Sequence, residues 1–119
     1  MKIPVPKEVL AGVIPVRAGI YPCQIVSEKL CIKNDTAIGV FMECSILEGE
    51  YTGRKLTKFI STTETALGFM VDFAINCGYP IEKIDDKFDT TKLIGLKFLA
   101  CVSDDSKYKD SVSSYASIA

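Results

Sequence analysis

A short run of basic and aromatic residues is the part of this sequence best suited to binding chemistry. Between positions 51 and 63 the chain carries three cations, Arg54, Lys55 and Lys58, and no acid. Phe59 directly follows the last of these cations. Cations neutralise phosphates and flat rings stack on bases, so this mixture is typical of single-stranded nucleic-acid binding. The same lysines equally suit a solvent-exposed strand, where they discourage edge-to-edge aggregation.

Catalytic chemistry has little support in the sequence. The chain contains no histidine, so it lacks Ser–His and Cys–His catalysis as well as imidazole metal ligands. Asp85, Asp86 and Asp89 have a spacing that could hold Mg²⁺ through carboxylate oxygens. Lysines alternate with these acids, which is more typical of a solvated connection, so a metal-dependent enzyme is only the third hypothesis. We expect a protein that is not an enzyme and that needs no cofactor.

Length, charge and cysteine usage point to one small domain. The 119 residues carry a net charge of −1, so any site for a polyanion must be local. No apolar run approaches about 18 residues and no basic-then-apolar leader is present, so we expect neither a membrane span nor a signal peptide. The five cysteines form no CxxC pair, which predicts free, buried thiols in a reducing cytoplasm.

The first half of the chain predicts an arm followed by two strands. Residues 1–19 hold three of the five prolines, which predicts an irregular N-terminal arm. A strand is predicted over residues 20–33, with a bulge near Ser27 where the apolar phase shifts. A turn at residues 34–35 leads into a second strand over residues 37–47, in which apolar residues alternate with the others at period 2.

The second half of the chain completes the predicted fold. A third strand over residues 54–61 leads into a helix that ends near residue 76, and this helix is apolar enough to predict burial around most of its circumference. Two further strands are predicted over residues 95–103 and 108–118. Closing five such strands into a barrel hides their edges. The sequence therefore predicts a mainly β fold, a five-stranded OB-fold barrel with one α-helix between strands 3 and 4, as a single domain over residues 1–119.

The predicted barrel has a candidate DNA-binding face, because an OB-fold presents strands 2 and 3 and the loops joining strands 1–2 and 4–5 to its ligand. The residues predicted to stack on bases are Phe41, Phe59 and Tyr108, with Tyr51 in reserve. The residues predicted to contact phosphates are Lys33, Arg54, Lys55, Lys58, Lys107 and Lys109. Lys58 is the weakest of these, because its position in strand 3 has the parity of the apolar Leu56.

A protein-interaction module is the main alternative to DNA binding. The same barrel could use its apolar helix or its arm to bind a replication or recombination partner without touching DNA. The position of two rings distinguishes these hypotheses. Phe41 and Phe59 exposed in a basic groove favour DNA binding, whereas burial of both rings against a second subunit favours assembly.

Several segments of the chain, taken in order, resemble phage-encoded single-stranded DNA-binding proteins with an OB-fold. These segments are AGIYPCQIV, FMECSILEGEYTGRKL, ALGFMVDFAINCGYP, LIGLKFLACV and VSSYAS, which together cover most of residues 18 to 117. GEYTGRK, the LIGLK opening of strand 4 and the tyrosine near the end are the most telling motifs. The chain is most similar to small proteins of this kind from phages of lactic-acid bacteria.

The resemblance implies a non-enzymatic protein that coats single-stranded DNA, with little sequence preference, in phage replication and recombination. It also implies a homodimer, a link to a strand-exchange recombinase, and a location in the cytoplasm of the infected bacterial host. Arg54, Lys55 and Phe59 match the basic and aromatic third strand, and Tyr115 matches the terminal tyrosine. The sequence ends at SYASIA, whereas the usual bacterial proteins have a long flexible tail that ends in acidic and apolar residues, so the resemblance does not extend to tail-mediated recruitment of partners.

Overall fold

The computed structural model describes residues 1–85, 87–104 and 108–118, except for the side chains of Glu8, Ala11 and Gly12. Within these residues, two α-helices and five strands follow one another in the order α1 (Lys7–Val13), β1 (Gly19–Lys33), β2 (Thr36–Ile46), β3 (Lys55–Ser61), α2 (Leu67–Asn76), β4 (Lys97–Val102) and β5 (Ser114–Ala116). Short 3₁₀ helices occur at Glu64–Ala66, Ile81–Lys83 and Thr90–Leu93. No helix in the described part of the chain is long and apolar enough to cross a membrane.

The five strands form one antiparallel sheet that curls into a half-barrel, with the order β3-β2-β1-β4-β5. The segment before β5 returns to the opposite edge of the sheet. There the amide of Thr57 donates to the carbonyl of Asp110, and the amide of Val112 donates to the carbonyl of Thr57, each at 2.9 Å. These bonds make a parallel bridge between the two ends of the sheet. The prediction of a mainly β fold with five strands and a helix between the third and fourth is confirmed.

The hairpin of β1 and β2 sets the register of the sheet. Asn34 and Asp35 form its two-residue turn with φ angles of 52° and 62°, and left-handed backbone at both central residues is what a type I′ turn requires. A register shift just before Ser27 confirms the predicted bulge. A second shift, just after Cys31, has no signal in the sequence.

The core lies between the inner face of the sheet and one side of α2. Alternate residues of β2 and β3 point into it, and Met42, Cys44 and Leu56 are fully buried, as the period-2 pattern predicts. Phe73 of α2 meets Phe98 of β4 edge to face, with ring centroids 5.0 Å apart. This contact between helix and sheet closes one side of the half-barrel.

Helix α2 is less buried than its sequence predicts. Among its described residues, Phe73 and Ala74 are buried, whereas Phe69 is 77% exposed and Leu67 is also exposed. The prediction of burial around most of the circumference is wrong, because the helix rests on the half-barrel along a single stripe. Apolar residues outside that stripe face solvent. In an amphipathic helix the solvent-facing side normally carries polar residues.

The N-terminal arm contains a helix, so the prediction that residues 1–19 are irregular is wrong. Pro6 precedes α1, and its carbonyl accepts hydrogen bonds from the amides three and four residues later at 3.1 Å. Proline is tolerated at this place because the first turn of a helix needs no amide donor. Ile14 is extended and ends the helix, because the residue before Pro15 is pushed out of the helical region. The prolines therefore mark the two ends of this helix instead of preventing it.

Asp110 fixes the end of the arm to the half-barrel. Its Oδ1 accepts a hydrogen bond from the amide of the buried Val16 at 2.7 Å, and its Oδ2 accepts one from Arg54 Nη2 at 3.0 Å. The same Arg54 nitrogen donates to the carbonyl of Ile14 at 2.9 Å. Both charged side chains are largely shielded from water, so this ion pair is stronger than an exposed one.

We expect Asp110→Ala to lower the free energy of unfolding by about 2–4 kcal/mol, because it removes the carboxylate that pairs with a partly buried guanidinium and accepts a hydrogen bond from the amide of Val16. Urea unfolding followed by circular dichroism measures this loss. Asp104→Ala, at an exposed acid in the same connection, is the matched control and should change stability by less than about 0.5 kcal/mol. An Asp110→Ala variant as stable as the unmodified chain would contradict the anchoring role.

Candidate nucleic-acid interface

A row of three side chains crosses the outer face of the sheet. Phe41 of β2 lies opposite Lys29 of β1 and opposite Phe59 of β3. The two rings are in contact, with centroids 5.1 Å apart and planes inclined at 48°. They are 40% and 41% exposed, because the neighbouring residues along each strand take the buried face. Two adjacent rings on an open sheet surface make a platform on which a planar ligand can stack.

Tyr108 joins these two rings in one groove of about 610 Å³, which we call the aromatic groove. It comes from the loop between β4 and β5 and is 73% exposed. The three aromatic residues predicted to stack on bases therefore lie together, although they come from β2, β3 and a distant loop. The remaining walls of the groove are formed by Cys31, Thr57, Lys109, Ser111 and Val112.

Gly39 allows Phe59 to lie close against β2. A Cβ atom at position 39 would come within 2.6 Å of both Phe59 Cζ and the carbonyl oxygen of Ile60. Both distances are far shorter than an ordinary van der Waals contact, which is about 3.5–4.0 Å. Glycine within a strand often marks such a close approach, and here it is the ring of the platform that approaches.

The predicted cations come from several elements. Lys109 lines the aromatic groove itself. Lys55 is exposed at the start of β3, where its Nζ donates to the carbonyl of Gly53 at 3.3 Å. Lys33 is exposed beside the turn of the β1–β2 hairpin. Lys107, the remaining predicted cation of the β4–β5 loop, lies outside the described residues.

Lys29 is a further cation beside the platform, and no local sequence pattern points to it. Unbroken pairing from the hairpin turn would place Lys29 opposite the buried Val40. The register shift after Cys31 moves its partner to Phe41 instead. Such a shift arises from how two strands pair, so a single strand's sequence carries little trace of it.

Tyr51 and Arg54 are engaged in contacts that hold the arm. The hydroxyl of Tyr51 accepts a hydrogen bond from Arg17 Nε at 3.0 Å, and its ring meets that of Tyr21 edge to face at 5.7 Å. Arg54 forms the ion pair with Asp110. Their predicted contacts with DNA stay predictions, and we do not include these two side chains in the proposed interface.

Lys58 lies on the opposite face of β3 from Phe59, as the strand parity predicts. Its Nζ is 5.6 Å from the ring centroid of Phe73 and 5.3 Å from that of Tyr115. Burial lowers the pKa of this amine, because the ammonium ion loses hydration there, and the two rings compensate part of that loss. An ammonium held over these rings is poorly placed to reach a phosphate at the aromatic groove.

Glu43 is an exposed acid on the same face as the platform. It lies opposite Thr57 of β3 and, with Lys29 and Phe41, borders a smaller depression of about 240 Å³. A carboxylate at this position repels a phosphate that approaches the platform. The interface is therefore not uniformly basic.

The acidic segment after α2 does not form a metal site in the described part of the chain. Asp85 Oδ1 accepts the amide of Lys87, and Asp89 Oδ1 accepts the amide of Thr91, both at 2.9 Å. Asp86, the third acid of the predicted magnesium spacing, lies outside the described residues. The two described carboxylates thus stabilise local turns.

The cysteines are free, as predicted, and three of them are buried. Burial raises the pKa of the Cys23 thiol to about 11 and that of the Cys77 thiol to about 12. It also raises the pKa of Cys44, so all three stay protonated and unreactive near neutral pH. Cys31 and Cys101 are half-buried, so the prediction of burial is wrong for these two.

We expect Gly39→Ala to lower the free energy of unfolding by about 1–3 kcal/mol, because the new methyl group forces β3 or the Phe59 ring to move. Gly68→Ala is the matched control, since Gly68 of α2 is surrounded by open space. It should raise stability by up to about 1 kcal/mol through helix propensity. Urea unfolding of both variants measures the difference, and a Gly39→Ala variant of undiminished stability would contradict the close packing of Phe59 on β2.

No protein-family model matches this chain, and a search of curated proteins finds no significant relative. Its function therefore has to be inferred from the aromatic groove itself. That groove brings three aromatic residues from separate elements onto one open face of the sheet, with Lys109 in its wall and Lys29 opposite Phe41.

Proposed function

We propose that the chain binds single-stranded DNA, with bases stacked in the aromatic groove and phosphates held by the lysines around it. One observation carries this proposal. Phe41, Phe59 and Tyr108, which the sequence singles out as stacking residues, line a single groove and are each exposed to solvent. Such binding is not catalytic and needs no cofactor.

The aromatic groove supplies affinity that does not depend on base sequence. Every base has a flat face, and stacking on a protein ring contributes about 1–3 kcal/mol per base. Phe41 and Phe59 are already in contact with each other, so this platform has little conformational freedom left to lose on binding. Tyr108 faces the groove from the β4–β5 loop, where it can stack on a further base.

Lys29, Lys55 and Lys109 supply the positive charge around the platform. They come from β1, β3 and the β4–β5 loop, and Lys33 extends the basic border toward the hairpin turn. Each phosphate neutralised on a single strand changes the slope of log affinity against log salt by about −0.7. The overall net charge of −1 adds no attraction at long range, so we expect moderate affinity that falls steeply with salt.

An OB-fold is the architecture that best fits these elements. Five antiparallel strands, a helix between the third and fourth, and a parallel contact between β3 and the segment before β5 suit a five-stranded barrel that carries its ligand on strands 2 and 3. We extend the proposal to the biological role of the phage proteins that the sequence resembles. In that role the protein acts as a homodimer in replication and recombination, in the cytoplasm of the infected bacterium and alongside a strand-exchange recombinase.

Binding of a protein partner through this face, without DNA, is less well supported. Lysines are depleted at the centres of protein interfaces, whereas here Lys29 lies directly opposite Phe41 and Lys109 lines the groove. Aromatic rings bordered by lysines suit a polyanion with flat bases better than an apolar protein surface.

Fluorescence anisotropy of a labelled oligo-dT of about 30 nucleotides, which is longer than one barrel of this type covers, tests the proposal. We expect binding that weakens as salt is raised, because phosphate contacts release counterions. We also expect it to persist against excess duplex competitor, because paired bases are not free to stack on protein rings. A folded chain that fails to bind at low salt would refute DNA binding.

Two variants separate stacking from charge. Phe59→Ala should weaken binding by about 5- to 150-fold, the equivalent of about 1–3 kcal/mol, and leave the salt slope nearly unchanged. Lys55→Gln should weaken binding to every sequence and make the salt slope shallower by about 0.7. The same anisotropy titrations at several salt concentrations give both quantities.

Matched controls come from the neighbouring elements. Lys58→Gln removes the same charge from the inner side of β3, and Phe69→Ala removes an exposed ring from α2. Both should keep the affinity and salt slope of the unmodified chain. An unchanged slope for Lys55→Gln would remove Lys55 from the interface, and a shallower slope for Lys58→Gln would restore Lys58 to it.

Glu43→Gln should strengthen DNA binding, because it removes a carboxylate that would repel a phosphate bound beside Phe41. We expect a gain of about two- to fivefold at low salt that disappears at high salt, where screening shortens the reach of the carboxylate. Glu82→Gln, at an exposed acid after α2, makes the same charge change away from the platform and should have no effect. Equal affinities for Glu43→Gln and the unmodified chain would show that no phosphate is bound close to Glu43.

A further inference from the structure

The N-terminal arm leaves its apolar side chains in solvent. Every described side chain of residues 1–15 is exposed. The radius of gyration is 15.9 Å, against about 13.5 Å for a compact chain of this length, as expected if the arm extends from the half-barrel. On α1, Val9, Leu10 and Val13 are spaced so that they share one side of the helix. Because a helix this short has only marginal stability in water on its own, its apolar side is suited to packing against another surface.

A second groove lies between the end of the β1–β2 hairpin and α2, with a volume of about 540 Å³. We call it the hairpin groove. Its walls include Leu30, Leu67 and Ile84, and Leu30 is 56% exposed. Asp85 and Asp89 are the charged residues among its described walls. The hairpin groove therefore combines an apolar surface with acidic residues.

The arm and the hairpin groove are complementary in character. The arm offers an apolar helix side, and the charged side chains of residues 1–15 are the cations Lys2 and Lys7 with the single acid Glu8. The groove offers apolar walls with two carboxylates, from Asp85 and Asp89. Apolar contact and opposite charge thus favour the same pairing.

The arm does not fill the hairpin groove of its own chain. The described side chains of residues 1–15 are all exposed, and Leu30 in the groove wall stays exposed as well. Both the apolar side of α1 and the groove are therefore left uncovered within a single chain.

We propose that the arm of one chain packs into the hairpin groove of a second copy, with the apolar side of α1 against Leu30 and with Lys7 beside Asp85. A second copy is the occupant because an exposed apolar helix and a matching groove with acidic walls belong to the same chain. Reciprocal exchange relates the two copies by a two-fold axis and closes the assembly as a dimer. This inference rests on the homodimer of the proposed function and names the surfaces that would form it, and it does not depend on DNA binding.

Light scattering coupled to size-exclusion chromatography, over a range of micromolar concentrations, tests the exchange. The unmodified chain should have the mass of two chains. Leu10→Glu in the arm and Leu30→Glu in the groove should each raise the dimer dissociation constant about tenfold or more, because a carboxylate would be buried in an apolar contact. Both positions are exposed in the single chain, so neither variant should unfold it. Ile81→Glu, exposed but outside both surfaces, is the matched control and should stay dimeric.

A charge reversal tests the pairing itself. Lys7→Glu and Asp85→Lys should each weaken the dimer, and the double variant should recover most of the lost affinity because it restores an opposite-charge pair. A monomeric unmodified chain would overturn the proposal, and so would a dimer that survives either Leu10→Glu or Leu30→Glu. Failure of the double variant to recover would overturn the contact between Lys7 and Asp85.

Discussion

Asp110 joins three segments that lie far apart in the sequence. Its carbonyl accepts the amide of Thr57 in β3, and its carboxylate holds the amide of Val16 together with a guanidinium. Its own φ of 53° is a left-handed conformation that aspartate tolerates better than most residues do. Tyr108 and Lys109, which line the aromatic groove, immediately precede it. Asp110 therefore stabilises the attachment of the arm, the closure of the sheet and the loop wall of the aromatic groove.

The alternation of apolar residues in β2 and β3 is enough to predict which side chains point outward, because one buried face fixes the parity of a strand. That parity separates Phe59 from Lys58. The bulge near Ser27 is also visible in the sequence, as a break in the phase of the apolar residues. The shift after Cys31 leaves no such trace, because it is a property of the pairing between two strands, and the sequence therefore does not point to Lys29.

Other errors came from partners that are distant in sequence. The composition of α2 indicates an apolar helix, but how much of it is buried depends on the area of sheet that meets it, and Phe69 falls outside that area. Arg54 and Tyr51 have the residue types of a DNA-binding surface, yet Asp110 and Arg17 engage them at the base of the arm. The fold class follows from local patterns, whereas tertiary contacts decide which residues belong to the candidate site.

The row of Lys29, Phe41 and Phe59 also limits how this protein can vary over evolution. Side chains alternate between the faces of a strand, so one residue gained or lost between Ser27 and Phe41 would turn part of the row inward unless a bulge absorbed it. Lengthening the hairpin by one residue on each side of its turn keeps every existing pair. Homologous hairpins should therefore change in length mainly by two residues at a time, one on each side of the turn.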